Sequence, residues 1–189
     1  MDVIDAIKQR RAYRSFDPVE ITDELIEDFA KVAQIAPSCN NFQPWRYIFV
    51  RDKETLQELF TILSDTNNWI EKCSMMIAVF SKPKFDCMIK GRDYYLFDTG
   101  LATAFIVLRA TELGLVAHPI AGFNENGGKE ILGIPEEMRL ITFVIIGKHS
   151  DTINPVLSDK MKLGEKQRPP RKGLKEIAYL DKYGKEIKP

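Results

Sequence analysis

Ten consecutive residues without a charge, 99–108, constrain this fold more than any other feature of the chain. They lie inside a longer helical pattern from Tyr94 to Leu113, with Asp98 just before them and Arg109 just after. A helix with no polar face has to be covered on nearly all sides. The apolar stretch from Gly100 to Leu108 is also too short to cross a bilayer, which takes about 20 residues. The rest of the chain must therefore wrap a long, buried central helix, which Gly114 ends at the position that favours a left-handed residue. With 189 residues the chain is long enough to do so as one domain, 1–189.

The remaining elements follow from periodicity and caps. Asp2 can cap a first helix with Val3, Ile4 and Ile7 on its buried side, ending near residues 10–14. Thr22 caps a second, with Asp23 and Glu24 in its first turn and Leu25, Phe29, Val32, Ala33 and Ala36 at helical spacing before Pro37 stops it. Residues 47–50 read as a strand and 55–63 as a helix. The apolar run 75–80 reads as a buried strand, and 82–92 as an irregular polar segment, a candidate lid. Residues 116–120 look extended, 129–132 make a short helical turn before Gly133-Ile134-Pro135, and 140–146 is a central β-branched strand. The expected class is α+β, with helices packed around a small mixed β-sheet.

Composition excludes several functions. Lys plus Arg and Asp plus Glu both number 27, so the overall charge attracts neither nucleic acid nor an anionic membrane. The last thirty residues, 160–189, differ, with ten basic residues against four acidic. They read as a C-terminal arm of the same domain, docked through Leu174, Ile177, Tyr179 and Leu180. Cys39, Cys73 and Cys87 share no metal-ligand spacing, and their odd number without a leader segment fits a reducing cytoplasm. His118 and His149, the only histidines, have no matching cluster for a zinc site. Walker A, Gly-x-Gly-x-x-Gly and Gly-x-Ser-x-Gly motifs are all missing, so any nucleotide is held outside a standard phosphate loop.

The segment 36–45, Ala-Pro-Ser-Cys-Asn-Asn-Phe-Gln-Pro-Trp, is stiffened by two prolines and rich in groups that both donate and accept hydrogen bonds. It suits a flat heteroaromatic ligand; the structural alternative is a helix-to-strand connection whose polar groups cap local backbone. For Trp45, core packing is the preferred role. Arg10 and Arg14 are four residues apart, so they are expected to share one helix face. Cations at a helix C-terminus are favourable in themselves, by about 0.3–1 kcal/mol.

Read in order, Arg10-Arg11-Ala12-Tyr13-Arg14-Ser15-Phe16, Ala36-Pro37-Ser38 with Asn41, Gln43, Pro44 and Trp45, Glu112-Leu113-Gly114-Leu115, His118 to Phe123, Ile131 to Pro135, Ile146-Gly147 and Pro170-Arg171-Lys172 resemble the nitroreductase family of FMN-dependent oxidoreductases. The resemblance spans essentially the whole chain. It implies an intertwined homodimer with FMN at the subunit interface and NADH or NADPH as electron donor. It further implies a two-step transfer through flavin N5 to a nitroaromatic, quinone or similar acceptor. Arg10 would hold the FMN phosphate, assisted by Arg11 and, from the tail, by Arg171 with Arg168 or Lys172. Arg14 would lie near the ribityl chain and the pyrimidine edge, where a cation stabilises reduced flavin. Pro37, Ser38, Cys39, Asn41 and Gln43 would approach from the second subunit, Pro119, Ile120, Ala121 and Gly122 would lie against the ring near N5, and Asn67 or Asn68 would meet its polar edge. Ala12 stands where many relatives carry serine, and Ala121 where some carry an acid. No side chain is expected to act as general acid. Rivals are a same-fold flavin enzyme of other chemistry (dehalogenase-like or flavin reductase), a flavin carrier or sensor without turnover, and a protein without flavin.

Overall fold

Strand β7 (Arg139–His149) is the spine of the sheet. It pairs with β6 (Leu115–Ile120), with β3 (Met75–Ser81) and, at its far end, with the two-residue β1 (Phe16–Asp17); β2 (Arg46–Val50) extends the sheet beyond β3. The computed structural model describes residues 1–187. Every ladder among them is antiparallel, so the sheet is antiparallel rather than mixed. The connection from β2 to β3 shows why. It contains both α3 (Lys53–Phe60) and a 3-10 helix (Asp65–Lys72), so the chain re-enters the sheet at the end it left, with Val50 opposite Met76.

Side-chain alternation along β3 and β7 divides the core in two. Met75, Ile77 and Val79 of β3, with Val144 and Ile146 of β7, face Phe29 and Ala33 of α2 (Asp23–Gln34) and Ala102, Ile106 and Ala110 of α4 (Tyr94–Glu112). Met76, Ala78, Phe143 and Ile145 point the other way, toward Leu56, Leu59, Trp69 and Ile70. A helix of eight residues, α5 (Glu125–Leu132), packs on that second side; it begins earlier than the short turn expected, because the Asn124 side chain accepts from the Gly127 N–H and caps it. Trp45 is buried in the first core, as its preferred role requires.

Three expectations fail for a common reason. In α1 (Val3–Gln9) only Ala6 is buried, while Val3, Ile4 and Ile7 face outward. Within the stretch 99–108 of α4, one face packs on the sheet but Gly100 and Ala104 on the other are exposed, as are Leu96 and Phe97 just before it. The tail carries α6 (Asp159–Lys166) and α7 (Leu174–Ile177), and its Leu174, Ile177 and Leu180 are exposed. In each case an apolar face is left uncovered by the described residues.

The segment 82–92 is more ordered than its polarity suggests. It forms a 3-10 turn (Pro83–Phe85) and a minimal hairpin of β4 (Met88–Ile89) and β5 (Arg92–Asp93), turned by Lys90 and Gly91 at positive φ.

Candidate functional site

Helix α1 ends at Gln9, with Arg10 as its C-cap, so residues 11–14 run on as extended chain. Arg10 and Arg14 therefore do not share a helix face: the backbone leaves the helix between them. What positions this arginine corner is the C-terminal arm. The Glu165 carboxylate, on α6 and buried, accepts from the Arg14 N–H at 2.9 Å and the Ser15 N–H at 3.1 Å. Arg11 donates to the Gly164 and Glu165 carbonyls and lies 4.5 Å from the Tyr13 ring centre, so its guanidinium is committed to the arm. Arg168 donates back to the carbonyls of Lys8 and Arg10 at 2.6 and 2.9 Å, satisfying the open end of α1.

Arg10 and Arg171 have no carboxylate partner among the described residues. Burial lowers the Arg10 pKa from its ordinary value, and the nearby charges of Arg168 and Arg171 lower it further. The pKa of Arg14 is likewise lowered by burial, partly offset by Glu165; its guanidinium sits 5.6 Å from the Trp69 ring centre. Arg10, Arg168 and Arg171 thus bring three mutually repelling guanidinium charges together, with no carboxylate ion-paired to them among the described residues.

Beneath this corner, His118 of β6 is buried, stacks on Trp69 at 4.7 Å and bonds the Tyr13 carbonyl oxygen through Nδ1 at 3.0 Å. Burial, reinforced by Arg14 and Arg10 and opposed by the Tyr13 carbonyl, pushes its pKa down to about 4. The ring is therefore neutral near pH 7, and Nδ1 is the donor.

The loop 37–43 is unusual in its backbone. Asn40, Asn41 and Gln43 all have positive φ, of 48, 58 and 50°. Such angles are costly for residues with a Cβ and need support. The Ser38 hydroxyl accepts from the Gln43 N–H at 2.9 Å, the buried Asp98 carboxylate accepts from the Cys39 N–H at 2.7 Å, and the Gln43 amide donates to Asn41. Pro37 and Asn41 are exposed. Cys39 is bonded to Cys87 in a disulfide, against the expectation of reduced thiols; the fold brings together two cysteines 48 residues apart. Cys39, Asp86 and Cys87 are the one grouping among the described residues with atoms close enough to hold a metal, and both sulfurs are spent on each other.

Residues 119–122 leave β6 at the sheet's edge. Pro119 and Ala121 are exposed, while the Ile120 side chain turns into the core and its carbonyl accepts from the Thr142 hydroxyl. The Gly122 carbonyl accepts from the Ser64 N–H at 3.0 Å and the Asn67 amide at 2.9 Å. A Cβ on Gly122 would collide with the Ser64 hydroxyl and come within 2.8 Å of the Asn67 amide, so a larger residue here would have to displace both side chains. Of the two asparagines, Asn67 reaches this loop; Asn68 is exposed and makes no side-chain hydrogen bond among the described residues.

The family model for the nitroreductase family matches residues 7–74 and 65–148. The chain belongs to the nitroreductase family. A relative from Archaeoglobus fulgidus, provisionally named an NADH dehydrogenase/NAD(P)H nitroreductase, is 32% identical over 157 residues, covering 79% of this chain and 87% of its own. A crystal structure of a nitroreductase family protein from Clostridium novyi superposes with a TM-score of 0.75 at 26% identity, over 99% of this chain and 97% of that one. A protein of Exiguobacterium sibiricum, provisionally named a nitroreductase and crystallised in complex with FMN, superposes with a TM-score of 0.81; at 22% identity, over 96% of this chain and 98% of that one, it shows the nitroreductase fold.

Two residues of this corner were not singled out in the sequence. Glu165 looks like one more charge in a basic tail, and nothing local marks it as buried. His118 had a readable signal, a lone histidine within the apolar strand pattern 116–120, but sequence reasoning weighed it only against a zinc site and as one residue of the run His118 to Phe123.

Proposed function

We propose that this nitroreductase family member is an FMN-dependent NAD(P)H oxidoreductase acting on nitroaromatics, quinones or similar acceptors. The observation that carries the proposal is the cluster of Arg10, Arg168 and Arg171, half-buried to exposed and free of carboxylates, which matches a phosphate dianion in charge and hydrogen-bonding capacity. FMN, when bound, would supply a centre that takes hydride from NADH or NADPH and passes two electrons to the acceptor in a second step. Arg10 and Arg171 would grip the phosphate. Arg168, already bonded to the end of α1, would contribute mainly charge, and Arg11 would hold the arm in place. Arg14, kept in position by Glu165, would favour negative charge on the reduced ring. The neutral His118 would support the corner from below without adding a cation. Backbone N–H groups of Ala121 and Gly122 would face the ring edge.

The proposal includes a homodimer. An apolar groove of about 570 Å³ runs along α4, lined among others by Leu96, Gly100, Ala104, Val107 and Ile141. With the outward faces of α1 and α7 it leaves three unpartnered apolar surfaces that a second copy would cover, bringing Ser38, Asn41 and Gln43 to the partner's flavin. No helix among the described residues is long and apolar enough to cross a membrane. We place the protein in the cytoplasm, where NAD(P)H is available.

The test is an absorbance titration with FMN followed by anaerobic NADH and then NADPH. Bound flavin that bleaches with a nicotinamide is the expected result. Bound flavin that never bleaches would make the protein a carrier or sensor, and absence of binding would sink the proposal.

A further inference from the structure

The disulfide between Cys39 and Cys87 joins two segments that have little else to hold them together. On one side is the loop 38–43, with three non-glycine residues at positive φ. On the other is the hairpin of β4 and β5, whose strands of two residues are too short to persist alone. Met88 and Ile89 of that hairpin are exposed, so it gains little from packing. The Asn40 amide lies 3.4 Å from the Cys87 sulfur, and the Tyr94 N–H donates to the Cys87 carbonyl at 3.3 Å; the covalent bond is the main tie.

Two acidic residues lie beside these segments, and the Asp86 carboxyl is the one close to both sulfurs. Asp86 accepts from the Cys87 N–H through one oxygen at 2.7 Å, and its other oxygen is buried with no hydrogen-bond partner among the described residues. Asp98, buried on α4, accepts from the Cys39 N–H. Atoms of Cys39, Cys87 and Asp86 lie within 4.8 Å of one another. Burial pushes the Asp86 carboxyl above its ordinary value, the Cys87 N–H partly offsets this, and the neighbouring Asp98 carboxyl pushes it further up, which favours the protonated form of Asp86. A structural disulfide has no use for an acid pair; a disulfide that opens needs a proton for the departing sulfur.

We propose that Cys39–Cys87 is a redox-active clasp, opened by an external dithiol of the thioredoxin class, with the Asp86–Asp98 pair protonating the departing sulfur. A thiolate of the reductant attacks one sulfur of the bond, and the other leaves and takes its proton from the carboxyl pair. The second thiol of the reductant then attacks the mixed disulfide and gives its proton to the protein sulfur it displaces, while the proton lost by the first reductant thiol restores the carboxyl pair. The reductant ends as a disulfide, and Cys39 and Cys87 end as two thiols: two electrons and two protons in all. Disulfides of cytoplasmic proteins are characteristically of this transient kind. Opening frees the hairpin and releases the loop 38–43 from its strained backbone. Any effect on flavin occupancy rests on the function proposed above; the chemistry of the clasp does not.

The experiment uses the full chain and reads thiols and proteolysis, neither of which requires flavin. Protein treated with oxidised glutathione, denatured and alkylated without reductant should take one label, on Cys73. After incubation with reduced thioredoxin or dithiothreitol it should take three. Tryptic cleavage at Lys90 and Arg92 should accelerate on reduction, and in Cys87→Ser it should be fast with or without reductant. Asp86→Asn should slow opening by dithiothreitol about tenfold, the sign of a lost general acid, while leaving the oxidised label count at one. Three labels after oxidation, or hairpin cleavage indifferent to reduction, would overturn the clasp. Unchanged opening in Asp86→Asn would remove the acid pair from it.

Discussion

The centre of the sheet and the arginine corner are built on opposite terms. In β3 and β7, Met75 to Val79 and Phe143 to Ile146 have essentially no exposed surface, and each residue is used twice over, its backbone in a ladder and its side chain in one of two cores. At the corner, burial and the nearby charges of Arg168 and Arg171 lower the Arg10 pKa, and none of the three has a carboxylate partner among the described residues. The first region is complete within one chain. The second is held together by Glu165 across about 150 residues of sequence and is left with surplus positive charge. Where a fold keeps like charges together that it does not need for its own stability, the missing opposite charge belongs to a ligand.

The contrast breaks or sharpens by mutation. Ile145→Ala removes a fully buried side chain from the sheet, and its cavity should cost about 2–5 kcal/mol in chemical denaturation while leaving FMN affinity per folded molecule intact. A loss below about 1 kcal/mol would mean that the core is less tightly packed than its burial implies.

The next effect concerns His118, which belongs to both regions. Its folded pKa of about 4 lies below the ordinary 6.5, so between those values the unfolded chain binds more protons than the native one. Stability from this residue is then complete above pH 6.5 and drains away as pH falls toward 4, by up to about 3 kcal/mol. Urea unfolding from pH 7.5 to 4 should show that slope, and His118→Phe should flatten it. An identical slope in the variant would assign the titration to another group.

Arg10→Ala should do the reverse of the core mutation. Removing one charge-assisted grip on phosphate should weaken FMN about ten- to a hundredfold, while the denaturation midpoint stays near that of the parent. If FMN affinity were unchanged, the phosphate would have to sit elsewhere. The smallest effect is a gain: Ala12→Ser adds one hydroxyl at the corner, where the family resemblance points to a phosphate contact. It should tighten FMN by about 0.5–1.5 kcal/mol, read by fluorescence quenching. No tightening would mean that residue 12 lies out of reach of the phosphate.

Much of the fold was legible from local pattern. The Asp2 and Thr22 caps form as their side chains suggest, and strands 75–80 and 140–146 fall where apolar β-branched runs place them. Trp45 packs in the core, and residues 10–14, 37–43 and 119–122 are each built into stiff, specifically bonded loops. The exposures of α1, α4 and α7 were not legible, because periodicity marks an apolar face without saying whether the same chain covers it. Arg14 left the helix because the backbone ended at Gln9, a boundary that a spacing of four cannot reveal. That Asn67 rather than Asn68 bonds the Gly122 carbonyl depends on a single residue of register in a 3-10 helix.

By itself the sequence determined what depends on neighbours within a few residues: which runs become strands, where helices begin, and a set of motifs in an order specific enough to indicate the family. Only the tertiary structure decided which distant groups meet. Glu165 reaches the backbone of Arg14 and Ser15, Cys39 reaches Cys87, and Asp98 reaches the loop that Cys39 opens. Caps and alternation arise from geometry that repeats along the chain, so they can be read locally. Meetings across 48 or 151 residues depend instead on how every intervening element packs, which is a property of the whole fold.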